Sequence, residues 1–198
     1  FYVESTQTSG YTEYLFRDEN NNTSSRQIIK DKDELVIPQL TSTQSRVFAG
    51  WYEGSIENGQ VVLESNPYDF DNISITETKV IYLYAVYKEY ARVVFHDQYN
   101  ANVKSSPICY TRMAELKTEG GTKQAAVKIS DISAAYVSSD STQRAFLGWS
   151  LTEVRTAGET AEILMADADG NITVTGDTDL YPVYKSVSPV TVILPSAS

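Results

Sequence analysis

Apolar and polar residues alternate with a period of two along much of this chain. Ile81-Tyr82-Leu83-Tyr84-Ala85-Val86-Tyr87 is the clearest case, β-branched and aromatic residues on alternating positions, the pattern of a half-buried strand. Shorter β-prone runs of the same character occur at Tyr14-Leu15-Phe16, Gln60-Val61-Val62-Leu63, Val93-Val94-Phe95, Asn171-Ile172-Thr173-Val174 and Val190-Thr191-Val192-Ile193-Leu194. Asn58-Gly59 and Asp169-Gly170 stand just ahead of two of these runs and are turn signals, because both central residues of a type I′ turn need positive φ; they read as hairpins or strand connections. Helix signals are few. The best covers Tyr110 to Lys117, where Met113, Ala114 and Leu116 cluster and Gly120-Gly121 supplies a stop. A weaker one covers Ile28 to Leu35, although Asp33 to Pro38 suits an extended segment equally well. The expected class is α+β, predominantly β.

The chain is a tandem. Val47-Phe48-Ala49-Gly50-Trp51 recurs as Ala145-Phe146-Leu147-Gly148-Trp149, an offset of 98 between the tryptophans. Leu83-Tyr84-Ala85-Val86-Tyr87-Lys88 recurs as Leu180-Tyr181-Pro182-Val183-Tyr184-Lys185, an offset of 97. Two motifs returning in the same order at nearly the same offset mark an internal repeat. Upstream, Glu13 to Asp18 resembles Arg92 to Asp97 at an offset of only 79, so the second copy carries about 18 extra residues, within about 105–142. The expected units are therefore 1–88, with a core from about 9, and 89–186; residues 187–198 form a last strand or open a truncated third unit. The join at Lys88 to Ala91 and the insertion are where a protease is expected to enter first.

Composition narrows the chemistry. Among 198 residues, 26 Asp and Glu outweigh 16 Lys and Arg, and a net charge of -10 opposes binding to nucleic acid or anionic lipid. No apolar run approaches the roughly 18 to 20 residues of a membrane-spanning helix. One His and one Cys remove zinc clusters and any intrachain disulfide. The chain opens on Phe1, which reads as a fragment of a longer protein.

Candidate site residues have two readings each. Trp51 and Trp149 follow Gly50 and Gly148 and read as buried anchors, with an exposed sugar-stacking platform as the alternative. Tyr82, Tyr84, Tyr87 and Tyr90 read as cross-strand packing, or as a solvent-facing ladder for glycan or protein. Asp167-Ala168-Asp169-Gly170-Asn171 begins like a calcium loop but lacks its distal Glu, and reads as a turn. Cys109 reads as a small buried hydrophobe and His96 as a solvent-side residue at a strand end. Lys79, Lys88 and Lys185 lie near core strands, where a Lys to Asn cross-link would serve as a staple. No catalytic, cofactor-binding or metal-ligating residue is assigned. A pair of convergent carboxylates, as in a glycoside hydrolase, is the remaining enzymatic option.

The order Pro38, Phe48-Ala49-Gly50-Trp51-Tyr52, Tyr68-Asp69-Phe70, Ile73-Ser74-Ile75-Thr76 and Leu83-Tyr84-Ala85-Val86-Tyr87 resembles the Listeria-Bacteroides repeat, the B-repeat module of internalin-type surface proteins. Phe146-Leu147-Gly148-Trp149, Gly170-Asn171-Ile172-Thr173 and Leu180-Tyr181-Pro182-Val183-Tyr184 carry the same resemblance in the second copy. Tyr87 and Tyr184 stand where the pattern has Trp, and Ser150 stands where it has Tyr. The resemblance implies two tandem small β-grasp-like modules of a secreted or cell-surface protein, mainly of Gram-positive bacteria. It implies no enzymatic activity and no cofactor. On that footing Phe48, Gly50, Trp51, Phe70, Leu83, Tyr84, Tyr87, Phe146, Gly148, Trp149, Leu180, Tyr181 and Tyr184 are structural residues. The function expected is that of a stalk, spacer or adhesion module; the alternative is binding of a host glycan or a host surface or matrix protein through the insertion.

Overall fold

The computed structural model describes residues 10–134, 144–156, 159 and 161–186. The C-terminal run Val190 to Leu194 and the end of the expected insertion lie outside them. The chain divides into two compact units, Phe1–Lys88 and Glu89–Ser198. Ten strands are described: β1 (Thr12–Arg17), β2 (Thr23–Ile29), β3 (Arg46–Glu57), β4 (Gln60–Leu63), β5 (Lys79–His96), β6 (Ile108–Glu119), β7 (Thr122–Lys128), β8 (Arg144–Ser150), β9 (Asn171–Val174) and β10 (Thr178–Ser186). The fold is predominantly β. The only helical element among the described residues is a 3-10 turn, Lys32–Glu34, started by the Asp31 carboxylate, which accepts from the Asp33 N–H.

In the first unit the strand order is β2-β1-β5-β3-β4. β1 and β2 form an antiparallel hairpin, and β1 lies parallel to β5 with Tyr14 opposite Ile81 and Phe16 opposite Leu83. Thr12, Tyr14 and Phe16 alternate inward along β1, as the period of two requires, and meet Ile81, Leu83 and Ala85 on the same face. Trp51, Phe48, Phe70 and Tyr87 complete this core. The Asn58-Gly59 turn is the expected type I′ hairpin: both residues have positive φ, 52° and 80°, and they join β3 to β4.

The second unit runs β9-β7-β6-β5-β10-β8. Its middle repeats the first unit pair for pair. β5 and β6 are antiparallel like β1 and β2, β5 and β10 are parallel like β1 and β5, and Phe95 lies opposite Leu180 as Phe16 lies opposite Leu83. The core gathers Ala91, Val93, Phe95, Trp149 and Leu180, with Phe146 and Tyr184 packed against it.

The insertion accounts for what differs, and it corrects two expectations. Tyr110 to Lys117 is not helix but the middle of β6, because its backbone pairs with β5 from Glu89 opposite Leu116 to Phe95 opposite Tyr110. Gly120-Gly121 is not a helix stop but a two-residue hairpin turn, with φ of 58° and 82°, that sends β7 back along β6. β7 then pairs with β9, Ala125 opposite Val174 and Lys128 opposite Asn171. In the first unit the matching Ile73 to Thr76 has no such neighbour and forms no strand. The turn expected at Asp169-Gly170 is present and leads into β9: only Gly170 has positive φ, and the turn closes through Gly170 N–H to the Asp167 carbonyl at 3.0 Å. The join at Lys88 to Ala91, expected as a protease-sensitive linker, lies inside β5, with Ala91 buried.

Candidate functional site

The repeated aromatic motif is absorbed by the two cores. Trp51 is 3% exposed and Trp149 is 1% exposed. Each indole N–H donates to a backbone carbonyl, Trp51 to Pro38 and Trp149 to Ile132, both at 3.1 Å. Each stands edge-on to the aromatic ring of the opening strand, Phe16 at 4.9 Å and Phe95 at 5.0 Å between centroids. Phe48 bridges Trp51 and Tyr87, and Phe146 bridges Trp149 and Tyr184. Phe70 stacks on Phe16. The Trp51 and Trp149 carbonyls accept from the N–H groups of Tyr68 and Leu164 at 2.7 and 2.8 Å. A ring so enclosed offers no face to a ligand, so the platform reading of both tryptophans is dropped.

Gly50 and Gly148 hold φ of 137° and 155°, a region that side chains rarely enter. A Cβ on Gly148 would stand 2.7 Å from Ile163 Cγ2, whereas one on Gly50 would meet Pro67 at 3.4 Å. The glycine thus serves close packing beside the indole.

The chemistry that remains lies on the other side of the parallel strand pairs. In the first unit the Arg17 guanidinium of β1 lies over two β5 rings, 4.6 Å from the centre of Tyr82 and 5.9 Å from that of Tyr84. Tyr84 is buried and Tyr82 exposed, so the tyrosines are no open ladder. In the second unit His96 of β5 occupies the position of Arg17, and Tyr181 of β10 that of Tyr84. Their rings stack at 4.6 Å with planes 13° apart. Asp179 replaces Tyr82, and its Oδ1 lies 2.7 Å from His96 Nε2.

His96 is therefore not solvent-side, as expected, but buried at 9% exposure. Its Nδ1 lies 2.9 Å from the Ser106 carbonyl oxygen. A carbonyl oxygen only accepts, so Nδ1 carries a proton and donates to Ser106, while Nε2 faces the Asp179 carboxyl. Both ring nitrogens are thus engaged within the cluster. Glu153 extends the cluster, accepting from the Ser106 N–H at 3.1 Å and from Arg155 Nε at 2.9 Å. Burial works against ionising Glu153, but these two donors hold its carboxyl below the ordinary range. Burial, with Asp179 and Glu153 nearby, pushes the Tyr181 hydroxyl up. Nothing in the sequence joins His96 to Asp179, 83 residues on; the repeat offsets, which align Arg17 with His96, carry the signal.

The other candidates are structural or dispersed. Cys109 is exposed on β6 rather than buried in the core, and its thiol donates to the Phe95 carbonyl at 3.1 Å. Desolvation of the sulfur and the nearby Asp97 raise it above the ordinary thiol value, away from thiolate chemistry. The Asp167 carboxylate accepts from the N–H groups of Asp169 and Asn171, which shapes the turn. Lys88 and Lys185 are exposed, outside the apolar surroundings a cross-link would use. A cavity of about 140 Å³ beside Trp51 is rimmed by Asp18 and Arg46. Its polar groups are committed: Asp18 accepts from the N–H groups of Asn20 and Asn22, and Arg46 lies 3.7 Å over the Tyr87 ring and pairs with Glu19.

Comparison with protein-family models, with curated proteins and with solved structures returns no match.

Proposed function

We propose that this chain is a non-catalytic, two-module segment of a bacterial secreted or cell-surface protein, a stalk or spacer of the Listeria-Bacteroides repeat type. One observation carries the reading: Phe48, Trp51 and Tyr87, and their counterparts Phe146, Trp149 and Tyr184, are spent on the core of their own unit, with the same strand register and the same indole hydrogen bond in both. Repetition of packing with the polar chemistry changed from copy to copy suits selection for form. The order β2-β1-β5-β3-β4 supports a β-grasp-like module in which a 3-10 turn and an extended segment take the place of the crossover helix.

The alternative assigned ligand binding to the insertion as a free loop. Ala125, Val127 and Ile129 from that region are buried in the second core, which argues for a widened sheet instead. Ile108, Tyr110 and Met113 are the exposed large apolar side chains of β6, with Tyr110 and Met113 on opposite faces of the strand. The test is a screen of the whole chain against glycans and matrix proteins beside a Tyr110→Ala, Met113→Ala variant. The stalk reading expects no saturable binding; binding that the double variant abolishes would replace it with the adhesive one.

A further inference from the structure

In each unit the first and last strands among the described residues are parallel neighbours, and this arrangement sets how the unit meets a pull on its ends. Tension applied through the chain draws β1 from its Thr12 end and β5 from the opposite end. The ladder of six register pairs, Thr12 opposite Lys79 to Arg17 opposite Tyr84, is then loaded in shear. Every bond must yield together. An antiparallel terminal pair would instead be peeled open one bond at a time. The second unit has the same geometry, because β5 enters and β10 leaves, with three pairs from Thr178 opposite Val93 to Leu180 opposite Phe95.

Both ladders are also tied through side chains. On the core side Phe16 lies opposite Leu83, and Phe95 opposite Leu180. On the other side a basic side chain of the first strand grips the last. Arg17 lies over Tyr82 and Tyr84; His96 bonds Asp179 and stacks on Tyr181. The shorter ladder carries one more clip, the Arg92 N–H donating to Asp177 Oδ1 at 2.7 Å.

We propose that each unit is a shear clamp, a force-bearing device whose parallel terminal strands are cross-tied at Arg17 in the first unit and at His96 and Asp179 in the second. This deepens the stalk reading, on which its biological purpose rests. Since β5 is the last strand of one unit and the first of the next, the same backbone carries tension from one ladder to the other.

Single-molecule extension of the whole chain, held by its two ends, tests the clamp. Residues 12–88 and 89–186 release roughly 270 and 340 Å at about 3.5 Å per residue, less the short folded span, so each rupture is assigned by its length. Forced rupture reads the unfolding barrier rather than equilibrium stability. The longer event is expected first, because its ladder is half as long. Moving one attachment to a Glu77→Cys site, with Cys109→Ser, puts both handles at the same end of the β1–β5 ladder. The first unit should then open at a several-fold lower force. Asp179→Ala should weaken the longer event and leave the shorter one unchanged as an internal reference, while Asp179→Asn keeps an acceptor and most of the force. Asp179 is half exposed, so these variants fold. Equal forces in the two pulling directions, or an Asp179→Ala trace identical to the parent, would overturn the proposal. Its fate is separate from that of the stalk reading, which the binding screen decides without any force.

Discussion

Trp149→Ala is the sharpest probe of the second core. The indole is 1% exposed, lies edge-on to Phe95 at 5.0 Å and Phe146 at 5.2 Å, and donates to the Ile132 carbonyl at 3.1 Å. Removing a buried aromatic of this size costs about 3 to 5 kcal/mol in lost transfer energy and cavity. The Ile132 carbonyl loses its partner too, but the cavity lets water reach it, so that loss stays near the lower end of ~1–3 kcal/mol. A total of about 5 kcal/mol is a large share of the ~5–15 kcal/mol available to a domain. Urea denaturation followed by far-UV circular dichroism should show the second unit's midpoint falling by roughly 2.5 to 5 M, at ~1–2 kcal/mol per M. Trp51 is then the only indole left, so fluorescence reports the first unit alone, and its midpoint should hold. Trp149→Phe keeps most of the apolar contact without the N–H and should cost about 1 to 2 kcal/mol. A loss below about 1 kcal/mol for Trp149→Ala would refute the buried anchor.

Three further outcomes are expected. Gly148→Ala should destabilise its unit more than Gly50→Ala does, since both residues have positive φ but only Gly148 has an atom within 3 Å of the new Cβ; strain of this kind costs about 1 to 3 kcal/mol, and equal thermal shifts would contradict the packing argument. Burial, with the Tyr14 hydroxyl at 3.2 Å and the charges of Glu53 and Asp69, holds the Tyr68 hydroxyl well above its ordinary value. Its folded value exceeds the unfolded one, so the stability it gives is full below about pH 10 and is lost as pH rises beyond; Tyr68→Phe should flatten that alkaline decline in the first unit's melting temperature, and an unchanged decline would assign it elsewhere. Lys88 lies in mid-strand, so limited trypsin digestion should spare the Lys88–Glu89 bond in the early products, and a first cut there would contradict the continuous β5.

The strands whose partners come from the same repeat were legible because inward residues recur every second position: Tyr14 and Phe16, or Ile81, Leu83 and Ala85, declare one face without reference to a partner. β6 was not. Read alone, Met113, Ala114 and Leu116 satisfy a loose helical cluster as well as a strand, and only pairing with β5 selects the strand that turns Ala114 and Leu116 inward and leaves Met113 out. Gly120-Gly121 has the same ambiguity, because positive φ ends a helix and also makes a two-residue hairpin. Cys109 followed β6, and its exposure comes from the register irregularity where Phe95 and His96 pair with Tyr110 and Ile108.

The back-face cluster was illegible for a different reason, since its members change identity between copies while their interaction persists. Arg17 with Tyr82 and Tyr84 becomes His96 with Asp179 and Tyr181. A basic side chain tied across two strands needs an electron-rich partner, and an aromatic face or a carboxylate supplies one. Exchanging Tyr for Asp therefore keeps the sign of the tie and changes its geometry, from a guanidinium lying over rings to an imidazole bonded at its edge and stacked on its face. What the two copies hold in common on this side is thus an electrostatic role at fixed strand positions, which residue-by-residue likeness misses and superposed registers reveal. The same reasoning explains why the aromatic side kept its residues: a close-packed indole beside a glycine tolerates no such exchange, because shape leaves fewer solutions than charge does.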